Sequence, residues 1–560
     1  MVLSRAQKWT LVVSCLAVAL VIGSMAALYT SLPDIAAATG ATQSQLTWVA
    51  DGYTLALACL VLPAGALGDR YGRRAVLMGG LSVFSAASVI PLFAQDPFWL
   101  IVARTLAGVG AAFVMPSTLS MLTTSFPERL RGRAVGIWAG IAGSGAVMGI
   151  LGSGLLLQQW SWLSIFVGLT VAGVLLLLAA CTLSESRDES HPPMDVVGSV
   201  LIVAAIGPIV VALNEAPGHG WTDPSVLGLA GTGLAALLIF VIVELRRRHP
   251  LLQLRLFAHR GFGSGTLSIA VQFLVMFGVF LLLVQYLQLV LNYQPLQSAL
   301  ALAPIAIPLV SISVFAPWLS DRAGLRLVMA SGLVVIAAGL YLTSRLQVGA
   351  TYTDFLWPLL LMGTGLGMCT APATTAITSA VSSDNQGIAA AVNDAAREVG
   401  AAVGIAVAGS VLAASYTDHL QPVLPMVPPP VREPVADSLA AALQAVDRSG
   451  PSGQPIAEIA REAFVHGTSQ AALALTVITA ISALAIALWA PGRRRPQRVW
   501  RIGLHTNDIG DESVALIGLD DAGPNKRINV SPRSQRSRNR CRRRHPRLTW
   551  VPSRLDRSAS

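Results

Sequence analysis

Long apolar runs separated by short polar connections make up most of the chain. Each run has about 20 residues, the length at which an α-helix crosses a hydrocarbon layer about 30 Å thick. The pattern therefore predicts an all-α membrane protein with fourteen transmembrane helices. The runs lie near residues 10–32, 47–68, 75–94, 97–122, 134–157, 161–183, 197–214, 225–244, 262–291, 297–318, 327–346, 353–378, 388–414 and 469–489.

Arginine is distributed unevenly among the connections between these runs. Short loops on the opposite side, such as 33–47 and 216–224, contain no Lys or Arg. Positive residues favour the cytoplasmic side of a membrane, so the pattern predicts that both termini are cytoplasmic. The arginine clusters follow even-numbered runs and comprise Arg70, Arg73 and Arg74, then Arg129, Arg131 and Arg133, then Arg246, Arg247 and Arg248, and finally Arg322 and Arg326.

Composition supports this class. The 560 residues are 54% hydrophobic and only 12% charged, whereas soluble proteins have about 25% charged residues. The net charge of +10 comes from the C-terminal tail, since the segment from Arg493 onward holds 17 Lys and Arg against 6 Asp and Glu. We expect residues 491–560 to be disordered. The tail could contact anionic lipid head groups, or it could be an incidental extension.

Residues 415–467 are predicted to form an outside loop. The loop begins with a proline-rich segment and then has two stretches with helical spacing, DSLAAALQAVDR and PIAEIAREAF. A loosely ordered connector is an equally good interpretation. The sequence has no phosphate-binding GxxxxGK[ST] loop, no metal-ligand spacing and no Ser/His/Asp arrangement, so we expect neither a cofactor nor a metal, and no enzymatic activity.

A weak internal repeat divides the chain. The loop after the second run reads GDRYGRR and the loop after the tenth reads SDRAGLR. Repeated halves are common in secondary transporters. The repeat predicts a six-helix half over residues 1–183, two inserted helices with flanking loops over 184–261, a second six-helix half over 262–490, and the tail.

The segment from Gly65 to Arg74, which we call the gate loop, carries the strongest local motif. Gly65 and Gly72 permit close helix approach and a tight turn. Asp69 could pair with Arg73, or could lie at a neighbouring helix N-terminus, where an anion is stabilised. A loop that only sets orientation would need arginines such as Arg70, but neither the aspartate nor the glycines.

The gate loop resembles the motif between helices two and three of the major facilitator superfamily. Fourteen runs make the chain similar to the fourteen-helix drug:proton antiporters of that superfamily, as do ARTLAGVGAAFVMPSTLSML, VQYLQLVLNYQPLQSALALAP and GIAAAVNDAAREVGAAVGIAVAGS. The resemblance covers residues 8–490. It implies the major facilitator fold and a cytoplasmic gate formed by Gly65, Asp69, Arg70, Gly72 and Arg73.

The chain departs from the family pattern in two places. Where the family usually has an aspartate in the first helix, this sequence has Ser24. In the fifth helix, the motif keeps small residues that permit close packing, but Ile150 replaces the usual proline and Ser153 replaces a glycine. The retained positions are Gly145, Gly149 and Gly154.

Asp51 is unusual because it lies inside an apolar run, where a charge is costly. Counting from the helix ends at 1.5 Å per residue places Asp51, Arg104 and Ser24 at similar depth. We hypothesise that Asp51 faces a central cavity, pairs part of the time with Arg104 and replaces the missing first-helix carboxylate. A purely structural ion pair and a solvated aspartate at the helix end are the alternatives.

A second acidic pair lies in the thirteenth run. Asp394 and Glu398 are four residues apart and share a helix face, with Arg397 beside them. The resemblance implies that this pair contributes to cation recognition, whereas a structural Asp394–Arg397 pair is the alternative. Polar and aromatic side chains that could contact a cargo are Trp138, Gln272, Gln285, Tyr286 and Gln288, although most such residues serve helix packing.

The resemblance implies a monomeric, proton-coupled transporter of the bacterial inner membrane that exports small lipophilic or cationic molecules by alternating access. Two other functions stay open from the sequence. One is export of an endogenous metabolite or lipid with altered or absent proton coupling, which the replacements at positions 24 and 150 favour. The other is a non-transporting sensor or scaffold. Nothing besides the basic tail suggests nucleic acid.

Overall fold

The computed structural model describes residues 4–28, 31–41, 43–185, 194–247, 250–382, 385–429, 432, 435–436, 438–443 and 454–492. Residues 493–560 of the predicted tail lie outside these ranges. Within the described ranges, fourteen helices are long and apolar enough to cross a membrane, which confirms the predicted all-α fold. We label them α1 (Arg5–Ala27), α2 (Gln43–Tyr71), α3 (Arg73–Phe93), α4 (Pro97–Ser125), α5 (Glu128–Leu157), α6 (Leu163–Ala180), α7 (Val196–His219), α8 (Pro224–Arg246), α9 (Arg260–Gln285), α10 (Leu296–Ala323), α11 (Leu325–Thr343), α12 (Tyr352–Thr378), α13 (Gln386–Leu420) and α14 (Gln454–Trp489).

Capping residues and glycines set several helix ends. Asp96 precedes Pro97 and its side chain accepts a hydrogen bond from the backbone N–H of Phe98 at 2.8 Å, which starts α4. Gly72 and Gly324 have φ angles of 112° and 94° and separate α2 from α3 and α10 from α11. Because L-residues with side chains rarely adopt these angles, glycine permits both sharp turns of the internal repeat.

Several short elements were not predicted. A helix at Leu32–Thr39 lies in the connection after α1, and a 3-10 turn at Leu254–Ala258 follows α8. The α9 span ends in a π-helical turn, Tyr286–Val290, and α10 includes a 3-10 turn, Ala303–Ile305. The turns within α9 and α10 are as apolar as the spans that contain them, so hydropathy alone does not reveal these two turns.

The predicted outside loop is shorter than 415–467. α13 continues to Leu420 and α14 begins at Gln454, so the stretch PIAEIAREAF is the first part of α14. The prediction was wrong here because helical spacing continues through the polar outer turns where hydropathy falls. Of DSLAAALQAVDR, only residues 438–443 are described, and residues 439–443 are helical.

Two large buried apolar clusters form the core. One is made mostly of residues from α1 to α6, and the other mostly of residues from α7 to α14. The inserted helices α7 and α8 pack on each other, and α7 also contacts α2 and α13. α8 is the most exposed of the fourteen helices, with Leu234 and Leu238 on its outer surface, as expected for a helix facing lipid.

The glycines of α5 lie at close helix contacts. A Cβ on Gly149 would overlap the carbonyl oxygen of Gly23 in α1, and one on Gly145 would lie 2.9 Å from the Cβ of Ile22. A Cβ on Gly154 would lie 2.8 Å from a methyl group of Leu296. The small residues therefore permit α1 and α5 to touch along their backbones, although Ile150 replaces the family proline.

We predict that Gly149→Ala lowers the melting temperature of the detergent-purified protein, because the added methyl group separates α1 from α5. Overpacking of this kind costs about 1–3 kcal/mol. Gly152→Ala is the matched control, since a Cβ there meets no atom of the described residues within 4 Å. Both changes add the same helix propensity. Equal melting temperatures for the two variants would contradict the packing role of Gly149.

Candidate functional site

Asp69 of the gate loop joins α2 to the N-terminus of α13. Its side chain is 6% exposed. Oδ1 accepts hydrogen bonds from Arg73 Nη2 at 2.6 Å and Nε at 3.1 Å, and from the backbone N–H of Gly387 at 2.8 Å. Oδ2 accepts from the N–H of Ile388 at 3.1 Å. Both partners predicted for Asp69, the arginine and a helix N-terminus, are therefore present together.

The backbone of the gate loop brings these groups together. A Cβ on Gly65 would lie 2.5 Å from the carbonyl oxygen of Gly387, so only glycine allows this approach of α2 to α13. Arg73 is buried at the start of α3, where the turn at Gly72 directs it back towards Asp69. Arg70 points elsewhere and lies over the ring of Tyr71, 5.4 Å from its centroid.

The equivalent loop of the second half has the same backbone but different contacts. Asp321 is exposed, unlike Asp69. Arg326 donates from Nε to the carbonyl oxygen of Ala490 at 2.7 Å, at the end of α14. The repeat therefore preserves the turn but not the buried carboxylate.

The part-time pairing expected between Asp51 and Arg104 is not present in this conformation, among the described residues. The guanidinium of Arg104 lies over the ring of Tyr53, 4.3 Å from its centroid, and Nε donates to the carbonyl oxygen of Val49 at 3.3 Å. Val49 and Tyr53 are four residues apart and share one face of α2, whereas Asp51 lies between them and points to the other side. Asp51 and Arg104 lie at similar depth along their helices, but Asp51 points to the side of α2 that faces away from Arg104.

Asp51 instead faces the inserted helices. It is half-buried and close enough to Glu215 of α7 for the two side chains to interact electrostatically. Ser24, which stands where the family usually has an aspartate, is fully buried, and its hydroxyl donates to the carbonyl oxygen of Val21 at 3.1 Å. The hydroxyl of Tyr53 donates to the same oxygen at 2.8 Å.

Asp394 and Arg397 are both inside the protein. Their exposed fractions are 0% and 1%, and Asp394 Oδ1 is 3.9 Å from Arg397 Nε. Asp394 Oδ1 also accepts from Asn393 Nδ2 at 3.2 Å, and Asn393 accepts from the Thr374 hydroxyl at 3.0 Å. This geometry orients the Asp394 carboxylate without hydrogen-bonding it to the arginine.

Glu398 and Tyr53 connect the two halves of the candidate site. Glu398 is half-buried and lies close enough to Tyr53 for an electrostatic interaction. We refer to Tyr53 and Arg104 of the first half together with Asp394, Arg397 and Glu398 of the second as the central cluster. Tyr53 was not predicted from the sequence. The available signal was its spacing, since it lies four residues after Val49 on the helix that carries Asp51.

The other predicted contact residues divide between the interior and the C-terminal end of the α9 span. Trp138 is fully buried, donates from Nε1 to the Thr118 hydroxyl at 3.2 Å, and lies against Arg397. Gln272 is fully buried and accepts from the Thr370 hydroxyl at 2.6 Å. Gln285 and Gln288 are half-buried. The buried Tyr286 donates to the carbonyl oxygen of Gln347, and its ring lies 5.1 Å from that of Phe355.

Comparisons with known proteins agree on one family. A profile of the Major Facilitator Superfamily matches residues 14–405. The chain is 31% identical to the multidrug resistance protein Stp of Mycobacterium tuberculosis, over 70% of this chain and 73% of that protein. It is 35% identical to the puromycin resistance protein pur8 of Streptomyces alboniger, over 69% of this chain and 77% of that protein.

Solved structures agree on the fold. A bacterial homologue of the human lysosomal transporter Spinster, in an inward-facing and unoccupied conformation, covers 87% of this chain and 98% of its own, with a TM-score of 0.54 and 17% identity. The human organic anion transporter MFSD10 covers 86% of this chain and 100% of its own, with a TM-score of 0.57 and 12% identity. At these identities the likeness concerns the fold alone.

We predict that Asp69→Ala speeds hydrogen–deuterium exchange at the start of α13, because the N–H groups of Gly387 and Ile388 lose their acceptor. Hydrogen bonds to a charged group contribute about 1.5–3 kcal/mol, so exchange at these two amides should rise by about tenfold or more. Asp321→Ala is the matched control, since it removes the equivalent but exposed aspartate. Unchanged exchange at both amides in Asp69→Ala would contradict the contact.

Proposed function

The chain belongs to the major facilitator superfamily, and we propose that it exports lipophilic cations from the cell in exchange for protons. Proteins of this superfamily are in general transporters rather than enzymes. The export would proceed by alternating access, in which the two halves rock about a central site. Separation of the gate loop from α13 would open the cytoplasmic side.

The observation that carries this proposal is the central cluster. Charged side chains inside a membrane-spanning bundle are costly and are usually retained for function. Here Asp394 and Arg397 are fully buried in α13, and Arg104 is buried on the opposite half. A carboxylate at this depth can exchange a proton for a cationic cargo as the site opens to one side and then to the other.

The surroundings and the relatives support a lipophilic, aromatic cargo. Trp138 and Phe273 present aromatic faces beside Arg397 of the central cluster, and such faces attract organic cations. The similar proteins are named for resistance to multiple drugs and to puromycin, and another is the methyl viologen resistance protein SmvA of Salmonella typhimurium, 30% identical over 65% of this chain. One proton that moves across 100 mV supplies about 2.3 kcal/mol, enough to drive a modest cation gradient.

The correction at Asp51 changes which carboxylates we assign to coupling. Asp394 and Glu398 belong to the central cluster, so we assign proton and cation exchange to them. Arg104 contacts Tyr53, and Tyr53 lies near Glu398. Asp51 faces Glu215 of the inserted helices and is not assigned to this exchange.

We extend the proposal to placement in the cell. The protein is a multi-pass membrane protein, and the arginine-rich loops support an inner-membrane location with both termini in the cytoplasm. The two core clusters support a boundary near residue 183, and we propose that 1–183 is one half, 184–261 the inserted helices and 262–490 the second half. A cargo site formed within one chain supports function as a monomer.

We predict that cells lacking their own efflux pumps extrude ethidium when they express this protein, and that a protonophore stops the extrusion. Asp394→Asn should reduce the rate by about tenfold or more, because it removes the charge that alternates between proton and cargo. The measurement is the loss of ethidium fluorescence from energised cells, at equal membrane expression of each variant.

Asp51→Asn is the comparison variant, since it removes a carboxylate that faces the inserted helices. We expect it to retain most of the efflux. If Asp394→Asn extrudes as well as the wild type, the assignment of coupling to the central cluster is wrong. If the wild type extrudes ethidium equally with and without the protonophore, proton coupling is wrong. If it never extrudes dye, export of a metabolite or lipid becomes the better explanation.

A further inference from the structure

Arg397 is held between two aromatic rings. Its guanidinium carbon lies 4.8 Å from the ring centroid of Trp138 in α5 and 5.0 Å from that of Phe273 in α9. The side chain is 1% exposed. Aromatic faces stabilise a guanidinium by cation–π attraction, but they offer no acceptor for its N–H groups.

The N–H groups of Arg397 lack acceptors. Among the residues that the structure describes, none accepts a hydrogen bond from Nε, Nη1 or Nη2. The closest carboxylate oxygen, Oδ1 of Asp394, is 3.9 Å from Nε and already accepts from Asn393. A buried charge is usually both paired and hydrogen-bonded, so an internal ion pair does not account for this arginine.

The N–H groups of Arg397 that lack an acceptor favour one kind of ligand. A guanidinium presents its N–H groups in one plane, and that fork matches the two oxygens of a carboxylate. Beside it, Oδ2 of Asp394 also has no hydrogen-bond donor among the described residues, and Glu398 lies one helical turn further along α13. One short stretch of α13 thus offers a cationic group and two acidic groups.

We infer that Arg397 binds a carboxylate on the cargo, so that the exported class includes aromatic zwitterions as well as simple cations. This inference rests on the proposed export function and assigns the cargo chemistry of the same site. Asp394 and Glu398 hold the cationic end of such a molecule, Trp138 and Phe273 contact its rings, and the Arg397 fork holds its carboxylate.

Rocking of the two halves gives the cargo access to Arg397. Trp138 belongs to the first half and its indole is fixed to α4 through the Thr118 hydroxyl, whereas Arg397 and Phe273 belong to the second. Movement of α5 away from α13 takes Trp138 off the guanidinium. The cargo rings then replace the indole on that face while the carboxylate occupies the edge.

Two dyes that differ by one methyl group test the inference. Rhodamine 110 has a free carboxyl group and rhodamine 123 is its methyl ester, so both carry the same aromatic cation. Binding of each dye to the purified full-length protein is measured by fluorescence polarisation. The wild type should bind rhodamine 110 more tightly, and Arg397→Gln should weaken rhodamine 110 binding by about tenfold or more while rhodamine 123 binding stays within about twofold.

Two further variants separate the role of the guanidinium from effects of charge and of stacking on a tryptophan. Arg397→Lys retains the charge but loses the fork, so its preference for rhodamine 110 should fall between those of wild type and Arg397→Gln. Arg322→Gln is the matched control, because Arg322 also stacks on a tryptophan, Trp318, at 4.2 Å, but on the exposed end of α10. It should bind both dyes as the wild type does. Binding of rhodamine 123 shows that each variant is folded.

The outcomes separate this inference from the proposed function. If the wild type exports rhodamine 123 from cells but the purified protein binds both dyes equally, the inference is overturned and the export function stands. If Arg397→Gln weakens both dyes to the same extent, Arg397 has a structural role and the inference is likewise overturned. A wild type that neither binds nor exports either dye overturns the inference and the proposed function together.

Discussion

The structure depends on how it compensates charge inside a bundle of membrane-length helices. An unpaired charge is destabilising there, and the protein offsets this in two different ways. Asp69 receives four hydrogen bonds, two from Arg73 and two from the start of α13. Asp394 and Arg397 are as deeply buried, yet remain 3.9 Å apart with hydrogen-bonding capacity to spare.

This difference suits the two tasks that we assign. A fully satisfied carboxylate stabilises one arrangement of α2 against α13, and breaking the contact costs several interactions at once. The charged groups of the central cluster have no single preferred partner within the protein, so protons and cargo can bind to them in turn. In the mechanism that we propose, the gate contact sets which conformation is stable, and the central cluster makes that stability respond to what is bound.

Much of the fold could be predicted from the sequence because a membrane imposes length. Fourteen apolar runs specified fourteen helices, and the glycine at position 72 specified a turn that the structure has. The outer ends were less predictable, since α13 and α14 extend into polar surroundings where hydropathy gives no signal. The short helix at Leu32–Thr39 has the same cause.

The site was harder to predict, because residues at equal depth can point in different directions. Asp51 and Arg104 lie at similar depth, but Arg104 contacts Tyr53. Counting residues along a helix gives the depth of a side chain. It does not give the rotation of that helix relative to its neighbour. The internal repeat shows the same limit. Gly72 and Gly324 have similar backbone angles, yet Asp69 is buried while Asp321 is exposed, because tertiary contacts decide burial.

We propose that the gate contact between Asp69 and the start of α13 opens during transport, and a distance measured across this contact tests the proposal. Spin labels at Tyr71→Cys and Ser382→Cys lie on exposed positions at this end of α2 and beside α13. Double electron–electron resonance in lipid nanodiscs then reports the separation with and without ethidium, in acidic and alkaline buffer. We predict two populations, with the longer distance enriched by Asp69→Ala. A single distance under every condition and in both backgrounds would contradict alternating access through this gate.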